Sequence, residues 1–161
     1  MTVTIRDATA DDLPLLADLN DEIQRQHASA YPDDFLYPAD KGKVEKFFAA
    51  LMRNKDNRIV VAELDGAAAG YLWYEAQRRR ANALKPKLAR LLVHHVFVRP
   101  EFRRRGVAAA LMAVVQSAAL DGGFQEIALD TWASNERAQA FFAAYGFEPY
   151  RLALRKPVGD S

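Results

Sequence analysis

The chain has 161 residues, half of them hydrophobic, which is enough for one domain with a full core and short for two. Its 22 Lys and Arg against 21 Asp and Glu leave a net charge of +1, so no global field draws it to nucleic acid or to an acidic membrane. The lack of cysteine excludes disulfides, thiol nucleophiles and thiolate metal sites together, and no metal is expected.

Met1-Thr-Val-Thr-Ile-Arg has no basic start followed by an apolar core, so it reads as a strand and not as a signal peptide. No apolar run approaches the length of a membrane span, and a soluble, cytoplasmic protein is expected. Val3 and Ile5 alternate with polar neighbours as a short strand, and Thr9 to Asp12 supply the oxygens and acids that start a helix. Leu16, Leu19, Ile23 and His27 then fall at helical spacing. Tyr31-Pro-Asp33-Asp34-Phe35-Leu-Tyr37-Pro is a proline-punctuated loop, and Lys43 to Met52 a second helix with Val44, Phe47, Phe48 and Leu51 on one side. A hairpin follows, with strands Arg58 to Leu64 and Ala67 to Glu75 joined by Asp65-Gly66, and with Gly70 as a bulge or close-approach site. Gln77 to Lys87, rich in Arg and poor in apolar residues, reads as a loop between strands.

Leu88 to Val98 is a long strand, and Gly106 to Leu120 a helix whose buried face is Val107, Leu111, Val114, Val115 and Ala118, stopped by Gly122-Gly123. Phe124 to Trp132 alternates around Ile127 and Leu129. Ser134 can cap a helix carrying Ala138, Phe141, Phe142 and Tyr145, closed by Gly146, and Phe147 to Leu154 gives one or two last short strands. This order predicts one mixed α/β domain over 1–161, with helices covering a central sheet.

Arg103-Arg104-Arg105-Gly106-Val107-Ala108 lies between the long strand and the helix after it. A glycine at a helix start, the free N–H groups of the first turn and adjacent guanidinium donors suit a phosphate. The alternative is a solvated basic turn. No G-x-x-x-x-G-K-[ST] or G-x-G-x-x-G loop is present. Arg103-x-x-Gly106-x-Ala108 resembles the [QR]-x-x-G-x-[GA] motif of the GCN5-related N-acetyltransferases (GNAT family), and Asn135-x-x-Ala138-x-x-Phe141-Phe142-x-x-Tyr145-Gly146-Phe147 resembles the second cofactor-side segment of that family.

The resemblance implies a mostly antiparallel sheet flanked by about four helices, whose fourth and fifth strands splay to admit the pantetheine arm of acetyl-coenzyme A. It implies cofactor contacts at Arg103, Arg104, Arg105, Gly106, Val107 and Ala108, at the backbone of Val96 and Val98, and at Asn135 and Phe142. It implies transfer of an acetyl group to a primary amine of a small molecule, with a protein N-terminus or lysine as the alternative acceptor and a non-catalytic acyl-CoA sensor as the reading from another class. A homodimer is allowed; nucleic acid and membrane are not expected as partners.

His94 aligns with a family glutamate that works as general base, and imidazole suits that task near neutral pH. The bland alternative is a sheet histidine with both nitrogens bonded. Strand alternation puts His95 on the opposite face, in a packing role. Many family members have a tyrosine where this chain has Phe142, so Tyr145 stands as a substitute acid for the leaving thiolate. The family's acceptor region corresponds to Tyr31, Asp33, Asp34, Phe35 and Tyr37 with Trp73 and Tyr74, aromatics and acids that suit an ammonium group; a solvated Pro-Asp-Asp turn is the plain alternative.

Overall fold

The computed structural model describes residues 2–159; Met1, Asp160 and Ser161 lie outside the described residues, and with them the ends of the 1–161 span. Contacts divide the chain after Asp130 into a larger unit and a smaller one. The larger unit holds strands β1 (Val3–Asp7), β2 (Asn57–Leu64), β3 (Ala67–Arg79), β4 (Leu88–Val98) and β5 (Glu126–Leu129) and helices α1 (Leu13–Ala30), α2 (Lys41–Met52) and α3 (Val107–Asp121). The smaller unit holds α4 (Glu136–Ala144).

The five strands lie in sequence order, three antiparallel pairings followed by a parallel one between β4 and β5. Both faces are covered. Leu16 and Leu19 of α1 and Phe48 of α2 pack with Ile59, Val61, Tyr71, Trp73 and Phe97 on one face. On the other, α3 buries Val107, Leu111, Met112, Val115 and Ala119; Val114 and Ala118, expected in that stripe, are only half-buried because the stripe turns toward Met112 and Ala119. Each fully buried aliphatic side chain contributes about 2 kcal/mol, so this two-sided burial carries most of the stability.

Several expected boundaries move for local reasons. Asp40 caps α2 by accepting from the Lys43 N–H at 2.9 Å, which starts the helix at Lys41. Gln77, Arg78 and Arg79, expected in a loop, extend β3 opposite Arg90, Ala89 and Leu88. Their polar groups find partners in place, Arg90 donating to Gln77 and Arg79 to the Pro86 carbonyl, so a lack of apolar residues does not end the strand. The last expected strands, Phe147 to Leu154, do not form among the described residues, since no ladder partner pairs with them there. In the smaller unit Asn135, not Ser134, caps α4 by accepting from the Ala138 N–H at 3.1 Å.

Gly70 faces the β4 backbone so closely that a Cβ would run into the Phe97 carbonyl. The bulge expected beside it is also present, as a register shift in the β2–β3 pairing at Ala62/Glu63.

Candidate active site

The site is built on an irregularity of β4. Trp73 of β3 pairs with His95 and the next residue, Tyr74, with Val93, so His94 is the extra residue of a β-bulge. A bulge interrupts the in–out alternation, and the two histidines therefore do not diverge as simple strand geometry expects. Both rings meet the Trp73 indole: His94 stacks on it with centroids 4.1 Å apart, and His95 meets it edge-on at 4.9 Å.

His94 Nε2 lies 3.0 Å from Glu75 Oε1, which also accepts from Gln77 Nε2 at 3.0 Å. Arg90 Nε donates in turn to Gln77 Oε1 at 3.0 Å. The hydrogen bond from His94 holds the Glu75 carboxyl below the usual carboxylate range, against the opposing effect of burial. Glu75 is then an acceptor only, so His94 donates from Nε2 and presents Nδ1 as its lone pair. This pairing has the form of a base oriented by a carboxylate.

His95 is tied differently. Its Nδ1 is 2.8 Å from the hydroxyl of Tyr71, a fully buried side chain whose oxygen accepts from Asn20 Nδ2 at 3.3 Å. Burial above all, with smaller electrostatic effects of His94 and His27, pushes the His95 imidazole down to about 4, so it is neutral at ordinary pH.

Trp73 is itself buried, its Nε1 donating to Asn57 Oδ1 at 2.9 Å and its ring meeting Phe47 edge-on. It therefore supports the two histidines more than it opens a wall to solvent. Tyr74, expected beside it, faces the other way: its hydroxyl accepts from Arg58 Nη1 at 3.3 Å, and it lines a cleft of about 640 Å³ with Asp7, Leu91 and Ala118.

The expected acceptor loop folds back on α1. Phe35 stacks on His27 at 4.7 Å, the Tyr37 hydroxyl donates to Asp21 at 3.2 Å, and Gln24 donates to the Leu36 carbonyl at 2.7 Å. Burial lowers the proton affinity of the His27 imidazole at this end of α1. Tyr31 caps α1 from its C-terminal end and Asp33 and Asp34 are exposed.

Where the cofactor is expected, the β4–β5 pairing stops at Val93 and Leu129, and β4 continues to Val98 past the end of that ladder. Val96 and Val98 lie on this open stretch with half-buried side chains. Arg103 Nε donates to the Val98 carbonyl at 3.2 Å, folding the loop back on the strand, while Arg104 and Arg105 are exposed. Gly106 adopts φ of +80° before α3, a left-handed conformation that L side chains rarely take, and a Cβ there would meet nothing within 4 Å. No side chain caps α3 and its first turn, with Val107 and Ala108, holds no acid. Open N–H groups, a positive helix end and adjacent arginines fit the pyrophosphate of coenzyme A.

In the smaller unit, Phe142 is buried and packs edge-on with Phe141 and Phe147. Tyr145 is 42% exposed and rests against Phe141. Asn135 spends its side-chain oxygen on the cap of α4.

Sequence reasoning singled out His94 but not Glu75, Gln77, Arg90 or a role for His95 beyond packing. The period-two spacing of Trp73, Glu75 and Gln77 was a usable sign of one shared face, whereas nothing in Val93-His-His-Val96 marks the bulge.

A sequence model of the Acetyltransferase (GNAT) family matches residues 16–147. An N-acetyltransferase of Archaeoglobus fulgidus, uncharacterized, is 30% identical over 147 residues, covering 87% of this chain and 89% of that protein. The aminoglycoside N(6')-acetyltransferase type 1 of Salmonella typhimurium is 34% identical over 88 residues, 55% of this chain and 60% of that one. Among solved structures, AAC(6')-Iy in complex with the bisubstrate analogue CoA-S-monomethyl-acetylneamine superposes with a TM-score of 0.73 at 24% identity, covering 99% of this chain and 100% of that one.

Proposed function

Since the chain belongs to the Acetyltransferase (GNAT) family and is an acyltransferase, we propose that it moves the acetyl group of acetyl-CoA to a primary amine of a small molecule, with His94 as general base. The observation that carries this reading is the His94–Glu75 pair on the strand that leads into the phosphate loop. The Salmonella relative and AAC(6')-Iy support the choice of donor and acceptor, being respectively an aminoglycoside acetyltransferase and a protein bound to a CoA–aminoglycoside analogue.

In this reading Gly106, Val107, Ala108 and Arg103 to Arg105 hold the pyrophosphate and the β4 backbone at Val96 and Val98 holds the pantetheine amides; Asn135 and Phe142 of the smaller unit are cofactor contacts proposed from the family resemblance. Bound there, acetyl-CoA supplies a thioester whose acyl carbon exchanges its C–S bond for a C–N bond. His94 Nδ1 takes the proton of the incoming ammonium. The imidazolium so formed is stabilised by the Glu75 carboxylate and by the face of Trp73. Tyr145 is the proposed donor of the proton that the departing thiolate takes up, and Asp33 and Asp34 the proposed hold on the ammonium before it reaches His94.

Release of free thiol from acetyl-CoA across a library of small amines tests this directly. Wild type should turn over at least one amine, His94→Ala should lower that turnover by roughly a hundredfold, and Glu75→Gln by about tenfold, both with coenzyme A affinity nearly intact. A His94→Ala variant that keeps the acidic limb of the pH profile would send the proton to another group.

A further inference from the structure

Asn20 and Asp12 are the only buried polar or charged side chains among the described residues. Asp12 is explained locally by Arg6 and by the Thr9 N–H. Asn20 has no such local task. It lies on the buried face of α1 among Leu16, Ala17 and Leu19, and its amide donates across the core to the Tyr71 hydroxyl.

A phenol carries one proton. With its oxygen already accepting from Asn20, Tyr71 directs that proton to His95 Nδ1 at 2.8 Å. A neutral imidazole that accepts at Nδ1 must carry its hydrogen at Nε2. Among the described residues no buried side-chain nitrogen or oxygen lacks a partner, and Nε2 of His95 has none within the protein. It is therefore not fully enclosed by the protein. The His95 ring meets the same Trp73 indole on which His94, the proposed base, is stacked.

We propose that His95 is a specificity-determining residue, a neutral Nε2–H donor fixed by Tyr71 and Asn20 that reads an oxygen beside the amine of the acceptor. The inference rests on His94 being the base, because a donor next to the base meets the amine-bearing substrate. The acceptor class is thereby narrowed to amines with a hydroxyl, ether or carbonyl oxygen near the reacting nitrogen, as in an amino sugar or a 2-amino alcohol. Simple alkylamines would leave the buried assembly with an unanswered donor, which costs discrimination out of proportion to the one missing atom. The design also accounts for a buried asparagine. Without it the Tyr71 proton and the His95 tautomer would be free to exchange places.

The chain has three histidines, so their ring nitrogens resolve individually by long-range proton–nitrogen correlation in labelled protein. At pH 7 His95 should show a protonated Nε2 and an unprotonated Nδ1, and Tyr71→Phe should give a tautomer mixture. An Nδ1–H form or a charged ring in the wild type would overturn the proposal. Titration with 2-amino-1-propanol should then shift the His95 Nε2–H resonance, and isopropylamine, which lacks the hydroxyl, should not. An equal response to both would overturn it as well. In turnover, wild type should prefer an amino sugar over its deoxy analogue by tenfold or more in kcat/KM, and His95→Gln should bring that ratio toward one. An unchanged ratio in the variant would return His95 to a packing role. Loss of all turnover with the selective resonance shift intact would refute the acetyl-transfer reading and leave the oxygen-reading role standing.

Discussion

Glu75 changes what His94 can do, because a carboxylate that accepts the Nε2 proton leaves Nδ1 as the only lone pair and fixes the plane of the ring. Gln77 and Arg90 extend that hydrogen-bonded chain outward along β3 and β4, so the orientation of the His94 ring depends on side chains beyond its own partner. Less is held in place for the thiolate that the proposed reaction releases. Phe142 has no proton to give, and Tyr145 is the hydroxyl-bearing residue of the same helix end. Tyr145→Phe should therefore lower turnover with acetyl-CoA, and Phe142→Tyr should raise it. Steady-state rates identical in wild type and both variants would show that water protonates the thiolate.

Two loops place a test at the level of elements. The start of α3 is shaped by Gly106, whose left-handed backbone leaves the first N–H groups of the helix uncovered. Gly106→Glu sets a negative side chain at that opening, and calorimetry should show coenzyme A affinity lower by tenfold or more, about 1.4 kcal/mol. Undiminished affinity in a folded variant would move the pyrophosphate elsewhere. The loop after α1 is anchored through Phe35 and Tyr37, which leaves Asp33 and Asp34 as its exposed acids. Replacing both with asparagine keeps the turn preference and removes the charge. The KM of a polycationic amine should rise more than that of a monoamine; equal constants would mark the pair as a solvated turn.

At the scale of the whole molecule, acid should loosen the fold earlier than its carboxylates alone predict. His95 is neutral in the folded protein down to about 4, below its ordinary 6.5, so between those values the unfolded chain binds the extra proton. Stability is thus lost as pH falls through this window, by about 2 kcal/mol at pH 5, or roughly 4–8 °C in Tm. Burial of His27 acts in the same direction. Glu75 and Asp12, held low by His94 and Arg6, add their losses only below the ordinary carboxylate range. Melting curves at pH 7 and 5 check this: the difference should shrink in His95→Gln. The layers of the molecule were legible from periodicity, because Leu16, Leu19 and Phe48 or Val107, Leu111 and Val115 must bury somewhere whatever the details. The turn into α3 was legible from Arg103 to Ala108, where a glycine with a left-handed backbone follows three arginines, and its phosphate role belongs to the proposal. The partners of Glu75 and His95 were not, since both depend on which β3 residue faces which β4 residue, a long-range register that no local pattern encodes.

The extra residue in β4 gives the length of that strand a meaning separate from its composition. Without the extra residue the alternation would be unbroken, and two adjacent histidines on such a strand would point to opposite faces of the sheet with neither of them replaced. When this chain is aligned with relatives, a single-position gap there would outweigh several conservative replacements, and its placement decides which columns are chemically equivalent.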